Sequence, residues 1–253
     1  MMDDSNLQDI RGQAGPREGT EMIDNSPEFM AKLMEAFEER SKQEKADKVE
    51  RYKRLNKMVR KGQILFCGSS LMEQFPINEL LMDIGSPLVV YNRGIGGFTT
   101  EEMAEVLDTV VFELEPKYIF INIGTNDLNV PEYTLEGLME RYDSILSRIQ
   151  EALPQAKLFL MAYYPVNPEI GLTIPLFGEV FQYRTNERIA EANRGAAELA
   201  RKHGAEFLDV NAPITDAKGQ MKKEYTIEGM HMYGDGYMKV LEALLPVLQN
   251  LQG

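Results

Sequence analysis

Apolar residues along this chain follow two rhythms. Short uninterrupted runs, at Ile64 to Cys67, Leu88 to Tyr91, Tyr118 to Ile123, Leu158 to Ala162 and Glu206 to Val210, alternate with longer stretches where apolar side chains recur every three or four residues. The longer stretches are Thr100 to Leu114, Leu135 to Leu153 and Thr185 to Lys202. A run without polar alternation is a strand buried on both faces, and the longer period is one apolar stripe on a helix. Strands that alternate with helices need crossover connections. The pattern therefore predicts an α/β protein, a three-layer α/β/α sandwich around a central parallel sheet of about five strands.

Upstream of Gly62 the pattern changes. Ser26-Pro27-Glu28 reads as a helix start, and Met30, Leu33, Met34 and Phe37 then make one stripe. From there to Lys61 the chain is rich in Glu, Lys and Arg, while Val49, Tyr52, Leu55 and Met58 keep a thin helical period. Residues 26–61 are expected to form a helical N-terminal extension, a solvated helix or helical pair packed on the main domain. The competing reading is a partner-binding arm, with a homo-oligomer contact through the methionine-rich stripe. Residues 1–25 carry few large apolar groups and are expected to be a flexible leader. Residues 62–253 form the main domain.

Composition narrows the chemistry. With 253 residues and 43% hydrophobic side chains, the chain has the material for a sizeable core. Its 40 acidic and 27 basic side chains leave a net charge of −13, which opposes binding to nucleic acid or to an anionic membrane surface. One cysteine permits no internal disulfide, and with two histidines the usual zinc spacings cannot be built. No metal or organic cofactor is expected. Met1-Met2-Asp3-Asp4 lacks the basic and apolar regions of a secretory signal, and no apolar run is long enough to span a bilayer, so the expectation is a cytoplasmic protein without stable membrane insertion.

Candidate chemistry lies in the loops after the strands, because the carboxyl edge of an open parallel sheet is where ligands bind. The first strand ends in Gly68-Ser69-Ser70, the second leads into Asn92-Arg93-Gly94-Ile95-Gly96-Gly97-Phe98, the third into Gly124-Thr125-Asn126-Asp127, and past the fifth lies Glu228-Gly229-Met230-His231. Taken singly, each has an ordinary structural reading. The glycine loop does not complete Gly-x-Gly-x-x-Gly, so it is weak as a phosphate cradle. Asn126-Asp127 alone is a turn, and Glu228 alone a surface carboxylate. His203, before Gly204, reads as a helix end. Cys67 is a nucleophile candidate by chemistry but sits in an apolar run, as a small buried hydrophobe does. The Gly-x-Ser-x-Gly elbow of α/β-hydrolases is absent.

In their order and spacing the four loops together resemble the SGNH (GDSL-type) hydrolases, a group that includes lysophospholipase L1-like esterases. The resemblance covers about residues 62–250. It implies a flavodoxin-like sandwich and a serine esterase without cofactor, with Ser70 as nucleophile, His231 as base and Glu228 as the carboxylate that holds the imidazole. It further implies an oxyanion hole made by the backbone N–H of Ser70, the backbone N–H of Gly97 and the side-chain amide of Asn126. Two positions depart from the family pattern. Ser69 stands where aspartate is usual and is the rival nucleophile. Glu228 replaces the usual aspartate and is longer by one methylene, which leaves a serine–histidine dyad as the alternative.

Ser69, Phe98, Asp127 and Tyr164 are expected beside the substrate, with Phe75 narrowing the site. The aromatic connection from Tyr163 to Phe177 reads either as a binding wall or as a cover for the core. A narrow site favours short acyl groups such as acetyl, on a small-molecule ester that includes acetylated carbohydrate. A lysophospholipase or acyl thioesterase, and a binding module whose site has decayed, are the alternatives.

Overall fold

In the computed structural model the described residues are 26–173 and 178–251. The leader expected over residues 1–25, and residues 174–177 of the aromatic connection, lie outside them.

Five strands form one sheet: β1 (Ile64–Gly68), β2 (Val90–Gly94), β3 (Tyr118–Asn122), β4 (Lys157–Met161) and β5 (Glu206–Leu208). All neighbours are parallel, in the order β2-β1-β3-β4-β5. The helices are α1 (Pro27–Asn56), α2 (Ser70–Glu73), α3 (Ile77–Asp83), α4 (Thr100–Glu105), α5 (Leu107–Val110), α6 (Leu135–Ala152), α7 (Pro168–Gly171), α8 (Val180–Tyr183), α9 (Asn186–Lys202) and α10 (Gly234–Asn250). The three-layer α/β/α sandwich is the architecture that the apolar rhythm predicts.

Successive residues of a strand point to opposite faces, and here both faces are apolar. Leu65, Cys67, Ile119, Ile121, Leu158 and Leu160 pack in one core, with Leu138, Tyr142 and Ile145 of α6 and Ile189 and Ala192 of α9. Ile64, Phe66, Phe120, Phe159 and Met161 pack in the other, with Leu80 and Leu81 of α3 and Tyr237, Val240 and Leu244 of α10. The rings of Phe66 and Phe120 lie 4.9 Å apart and those of Phe120 and Phe159 4.5 Å. Phe75, expected near the substrate, instead belongs to this second core, where it stacks on Tyr237 at 4.8 Å.

Strand order reverses at β1: the chain steps to β2 on one side and then to β3 on the other. This is the switch point at which loops diverge and leave a crevice at the carboxyl edge.

Several boundaries differ from the sequence expectation. The segment Thr100 to Leu114 is not one helix. It breaks at Val106 (φ −120°) into α4, α5 and a 3-10 turn, along a stretch crowded with the β-branched residues Val106, Thr109, Val110 and Val111. The second strand starts later than expected and takes in Asn92 and Arg93. Polar residues are tolerated on this edge strand because each is bonded: Asn92 Nδ2 donates to the Met72 carbonyl at 2.6 Å, and Arg93 Nε donates to Asn56 Oδ1 at 2.9 Å. The N-terminal region is one helix, α1, and not a helical pair.

The chain divides into two compact units at Gln43/Glu44, within α1. In the first, Phe29, Leu33, Met34 and Phe37 are exposed. In the second, Val49 and Tyr52 pack against the first core, and the Tyr52 hydroxyl donates to the Gly94 carbonyl at 2.8 Å. Among the described residues no helix is long and apolar enough to cross a membrane.

Candidate active site

β1 ends at Gly68, where φ is +145° and a Cβ would stand 1.9 Å from the Asn122 carbonyl oxygen. Only glycine fits between β1 and β3 here, and the chain turns out of the sheet immediately afterwards. Ser69 is extended and wholly buried, its N–H donating to the Asn122 carbonyl at 3.2 Å. Ser70 opens α2, half-buried, at a helix start where backbone N–H groups have no intrahelical acceptor.

The loop Thr226 to Met232 arrives at the same edge from the far end of the chain. Its ends are bridged, with Ile227 N–H donating to the His231 carbonyl at 2.9 Å and the Thr226 hydroxyl donating to that same carbonyl at 3.0 Å. The Thr226 hydroxyl oxygen also accepts from Gly229 N–H at 2.8 Å. This turn brings His231 Nε2 to 2.8 Å from Ser70 Oγ, across 161 positions of sequence. On the other side of the ring, Nδ1 lies 2.5 Å from Glu228 Oε1, which also accepts the His231 backbone N–H at 3.0 Å. Burial works to raise the Glu228 carboxyl, but its hydrogen bonds to His231 and the imidazole charge outweigh it and hold the group below the ordinary carboxylate range. The longer glutamate stem therefore reaches the imidazole. With Nδ1–H held by a carboxylate, Nε2 is left as the acceptor facing the serine hydroxyl, the arrangement that turns a hydroxyl into a nucleophile.

The glycine loop after β2 is pinned from two directions. Ile95 N–H donates to the Gly68 carbonyl at 2.9 Å, and Gly96 N–H donates to Glu73 Oε2 at 2.5 Å. The other oxygen of Glu73 is ion-paired to Lys48 of α1. Gly97 follows at φ +74°, with Lys45 of α1 close by; that lysine pairs with Glu102 at 2.6 Å. Among the described residues neither Gly97 N–H nor Ser70 N–H donates to a protein acceptor.

Asn126 lies in the loop after β3. Its Nδ2 donates to the Phe98 carbonyl at 2.9 Å, and its Oδ1 accepts from Arg184 Nη2 at 2.7 Å. Arg184 is buried, and burial pushes its guanidinium down to about 10, with the Glu228 charge acting the other way; it stays a cation at neutral pH.

The remaining positions expected beside the substrate are packed away from solvent. Asp127 accepts from Thr100 Oγ1 at 2.5 Å, Thr100 N–H at 3.0 Å and Arg141 Nη2 at 3.1 Å, and so staples its loop to the start of α4. Phe98 is 4% exposed and Tyr164 2%, while Ser69 is fully covered. Tyr163, Tyr164 and Val166 belong to the cores, so this part of the aromatic connection covers the core. Cys67 is fully buried, and burial pushes its thiol well up, away from the thiolate. His203 lies apart from the site, bonded to Asp143 and Gln150.

Sequence reading missed Arg184, Glu73 and Lys48. A buried arginine or an ion pair between distant helices leaves no periodic mark. Among the described residues no cluster of three or more His, Cys, Asp or Glu is arranged to hold a metal ion.

The description "GDSL-like Lipase/Acylhydrolase family" matches residues 77–239. A solved chain from Streptococcus pneumonia, provisionally described as a platelet activating factor, superimposes with a TM-score of 0.76 at 31% identity, over 88% of this chain and 100% of that one. The platelet-activating factor acetylhydrolase IB subunit alpha1 of Bos taurus is 27% identical over 190 residues, 75% of this chain and 76% of its own length. A GDSL-like lipase from Bacteroides thetaiotaomicron shares the fold, with a TM-score of 0.65 at 21% identity over 81% of this chain and 98% of that one.

Proposed function

This chain belongs to the GDSL-like lipase/acylhydrolase family and is an ester-hydrolysing serine hydrolase, and from that premise we propose that it removes short acyl groups, acetyl above all, through Ser70, His231 and Glu228. The observation that carries the reading is the continuous chain from Ser70 Oγ to His231 Nε2 at 2.8 Å and from His231 Nδ1 to Glu228 Oε1 at 2.5 Å.

Ser70 Oγ attacks the ester carbonyl carbon while its proton passes to His231 Nε2. The carbonyl oxygen becomes an oxyanion, and Glu228 stabilises the imidazolium. The N–H groups of Ser70 and Gly97 and the Nδ2–H of Asn126 donate hydrogen bonds to the oxyanion. When the tetrahedral intermediate collapses, the C–O bond to the alcohol breaks and His231 returns the proton to the departing oxygen. Water then enters, loses a proton to His231 and attacks the acyl-serine, and the same steps in reverse release the acid and regenerate the Ser70 hydroxyl. Fixed donors aimed at the oxyanion are the largest single contribution in such reactions, with each one worth about 3–4 kcal/mol. Glu228 is held below its ordinary range, so it is ionised at neutral pH and available to the imidazolium throughout.

The acetyl preference draws support from the curated relative, an acetylhydrolase by name. For the alcohol we propose a carbohydrate. The same relative favours a second reading, an acetylated lipid of the platelet-activating factor kind. A fluorophosphonate probe should label the wild-type chain at Ser70 and leave Ser70→Ala unlabelled. Absence of labelling would turn the assignment toward a non-catalytic binding module. Nitrophenyl esters of rising chain length should be cleaved fastest as the acetate, whereas a maximum at long chains would point to a lysophospholipase or acyl thioesterase. Acetylated sugars and platelet-activating factor compared side by side decide the alcohol.

A further inference from the structure

We propose that Arg184 is a positioning residue that fixes which end of the Asn126 side chain faces the reacting carbonyl, and thereby gives the oxyanion hole its polarity. The inference rests on the reading above, in which Asn126 is an oxyanion donor.

An asparagine amide is nearly symmetric in shape but opposite in chemistry at its two ends. Rotated by half a turn, Asn126 would present a carbonyl oxygen to the developing oxyanion and repel it. Two contacts forbid that rotation. The guanidinium of Arg184 carries only donors, so the Asn126 atom 2.7 Å from Nη2 must be Oδ1. The carbonyl of Phe98 can only accept, so the atom 2.9 Å from it must be Nδ2. One proton of Nδ2 is spent on Phe98, and the other is left for the ligand. Arg184 Nε meanwhile donates to Asn129 Oδ1 at 2.9 Å, so one planar fork holds both ends of the turn from Asn126 to Asn129.

A structural role alone does not account for a cation here. Arg184 is 5% exposed; its bonded partners are two neutral amides, and the one carboxylate whose charge acts on it, Glu228, does so from beyond ion-pair distance among the described residues. A buried charge without an ion-pair partner is costly, and a neutral donor or apolar packing would hold a turn at less expense. A cation behind the amide carbonyl has a use when an anion forms at the other end of that amide. It draws electron density toward Oδ1, which sharpens the Nδ2–H donor, and it stabilises the oxyanion through a medium of low dielectric. Arg184 belongs to the turn between α8 and α9, its own N–H donating to the Val180 carbonyl at 2.8 Å. The Phe181 ring of α8 packs against the turn that carries Glu228 and His231, where a Cβ on Gly229 would stand 2.8 Å from its Cζ. The two loops are thus braced by one short helix.

The test is a double-mutant cycle on the full chain with nitrophenyl acetate, using Arg184→Met, Arg184→Lys, Asn126→Ala and the combinations. Arg184→Met should lower kcat by roughly tenfold to a hundredfold, part of what loss of a whole donor costs, with KM within about twofold. In the Asn126→Ala background the same change should cost less than about threefold, because the group it orients is gone. Arg184→Lys, which keeps the charge and one donor, should recover part of the lost kcat, and it replaces Arg184→Met in the cycle if the methionine variant fails to fold. Additive losses, or a loss confined to KM, would overturn the proposal. A wild-type chain that neither cleaves the ester nor labels at Ser70 would instead defeat the esterase reading on which it stands.

Discussion

Glu228→Gln isolates the charge on the carboxylate side of the imidazole. The substitution keeps the stem length, so the side-chain oxygen can still accept from His231 Nδ1–H and from the His231 backbone N–H, now at 2.5 and 3.0 Å from Oε1. What disappears is the negative charge facing the imidazolium that the proposed attack by Ser70 would form. Two unit charges roughly 4 Å apart at an effective dielectric near 20 attract by about 4 kcal/mol. A barrier raised by that amount slows the acylation step by about a thousandfold. Glutamine can also turn its amide nitrogen toward the ring and hold Nδ1 as an acceptor, which leaves Nε2 protonated and unable to take the serine proton; this adds to the loss.

Stopped-flow or plate assays with nitrophenyl acetate give kcat and KM separately. The loss should fall on kcat, because Glu228 is buried and the interaction it strengthens exists only once the imidazole is charged. Glu228→Asp supplies the geometric control. The charge stays, but the carboxylate retreats by about one bond, about 1.5 Å, which opens the short contact to the ring. It should lose activity and recover more of it than Glu228→Gln only if the loop from Thr226 to Met232 can follow. A Glu228→Gln chain that retains more than a tenth of wild-type kcat would refute the argument and favour a serine–histidine pair acting alone.

The same carboxylate sets a pH dependence of stability. Its folded pKa is lowered from 4.5, so the stability it contributes is fully present above 4.5 and is lost as pH falls through the depressed folded value. Thermal unfolding of wild type and Glu228→Gln should therefore converge as the pH falls below 4.5; a gap that widens in acid contradicts the direction. Gly68→Ala should cost more than about 4 kcal/mol or abolish folding, since the new methyl would stand 1.9 Å from the Asn122 carbonyl between two core strands, and a melting temperature within a few degrees of wild type would count against the packing described here. Cys67 should resist thiol reagents in the native chain and react only on unfolding, as its burial and raised thiol require; rapid modification with loss of activity would reopen its candidacy as a nucleophile.

Ser70 and His231 show how far residue pattern reaches. A parallel sheet sends the loops after its strands to one edge, and the resemblance of four segments, in order, to the SGNH hydrolases singled out these two residues among them; 161 positions apart, they meet at 2.8 Å. Phe75, Tyr163 and Tyr164 show the limit: an aromatic residue near a functional loop reads the same whether it lines a site or fills a core, and here the packing of the layers drew them inward.

Sequence by itself determined the parallel sheet and the edge that carries the loops, because hydrophobic periodicity and local backbone preference act over a few residues at a time, while the residue types expected to meet there came from the resemblance of four short segments to one family. Only the tertiary structure decided that Glu228 is long enough to reach the imidazole, that Lys48 and Glu73 pin the glycine loop, and that Arg184 stands behind Asn126. Those are contacts between groups separated by 23 to 58 positions, or set by a reach of about one bond length within one turn, and they arise from close packing of a whole domain, which no local pattern encodes.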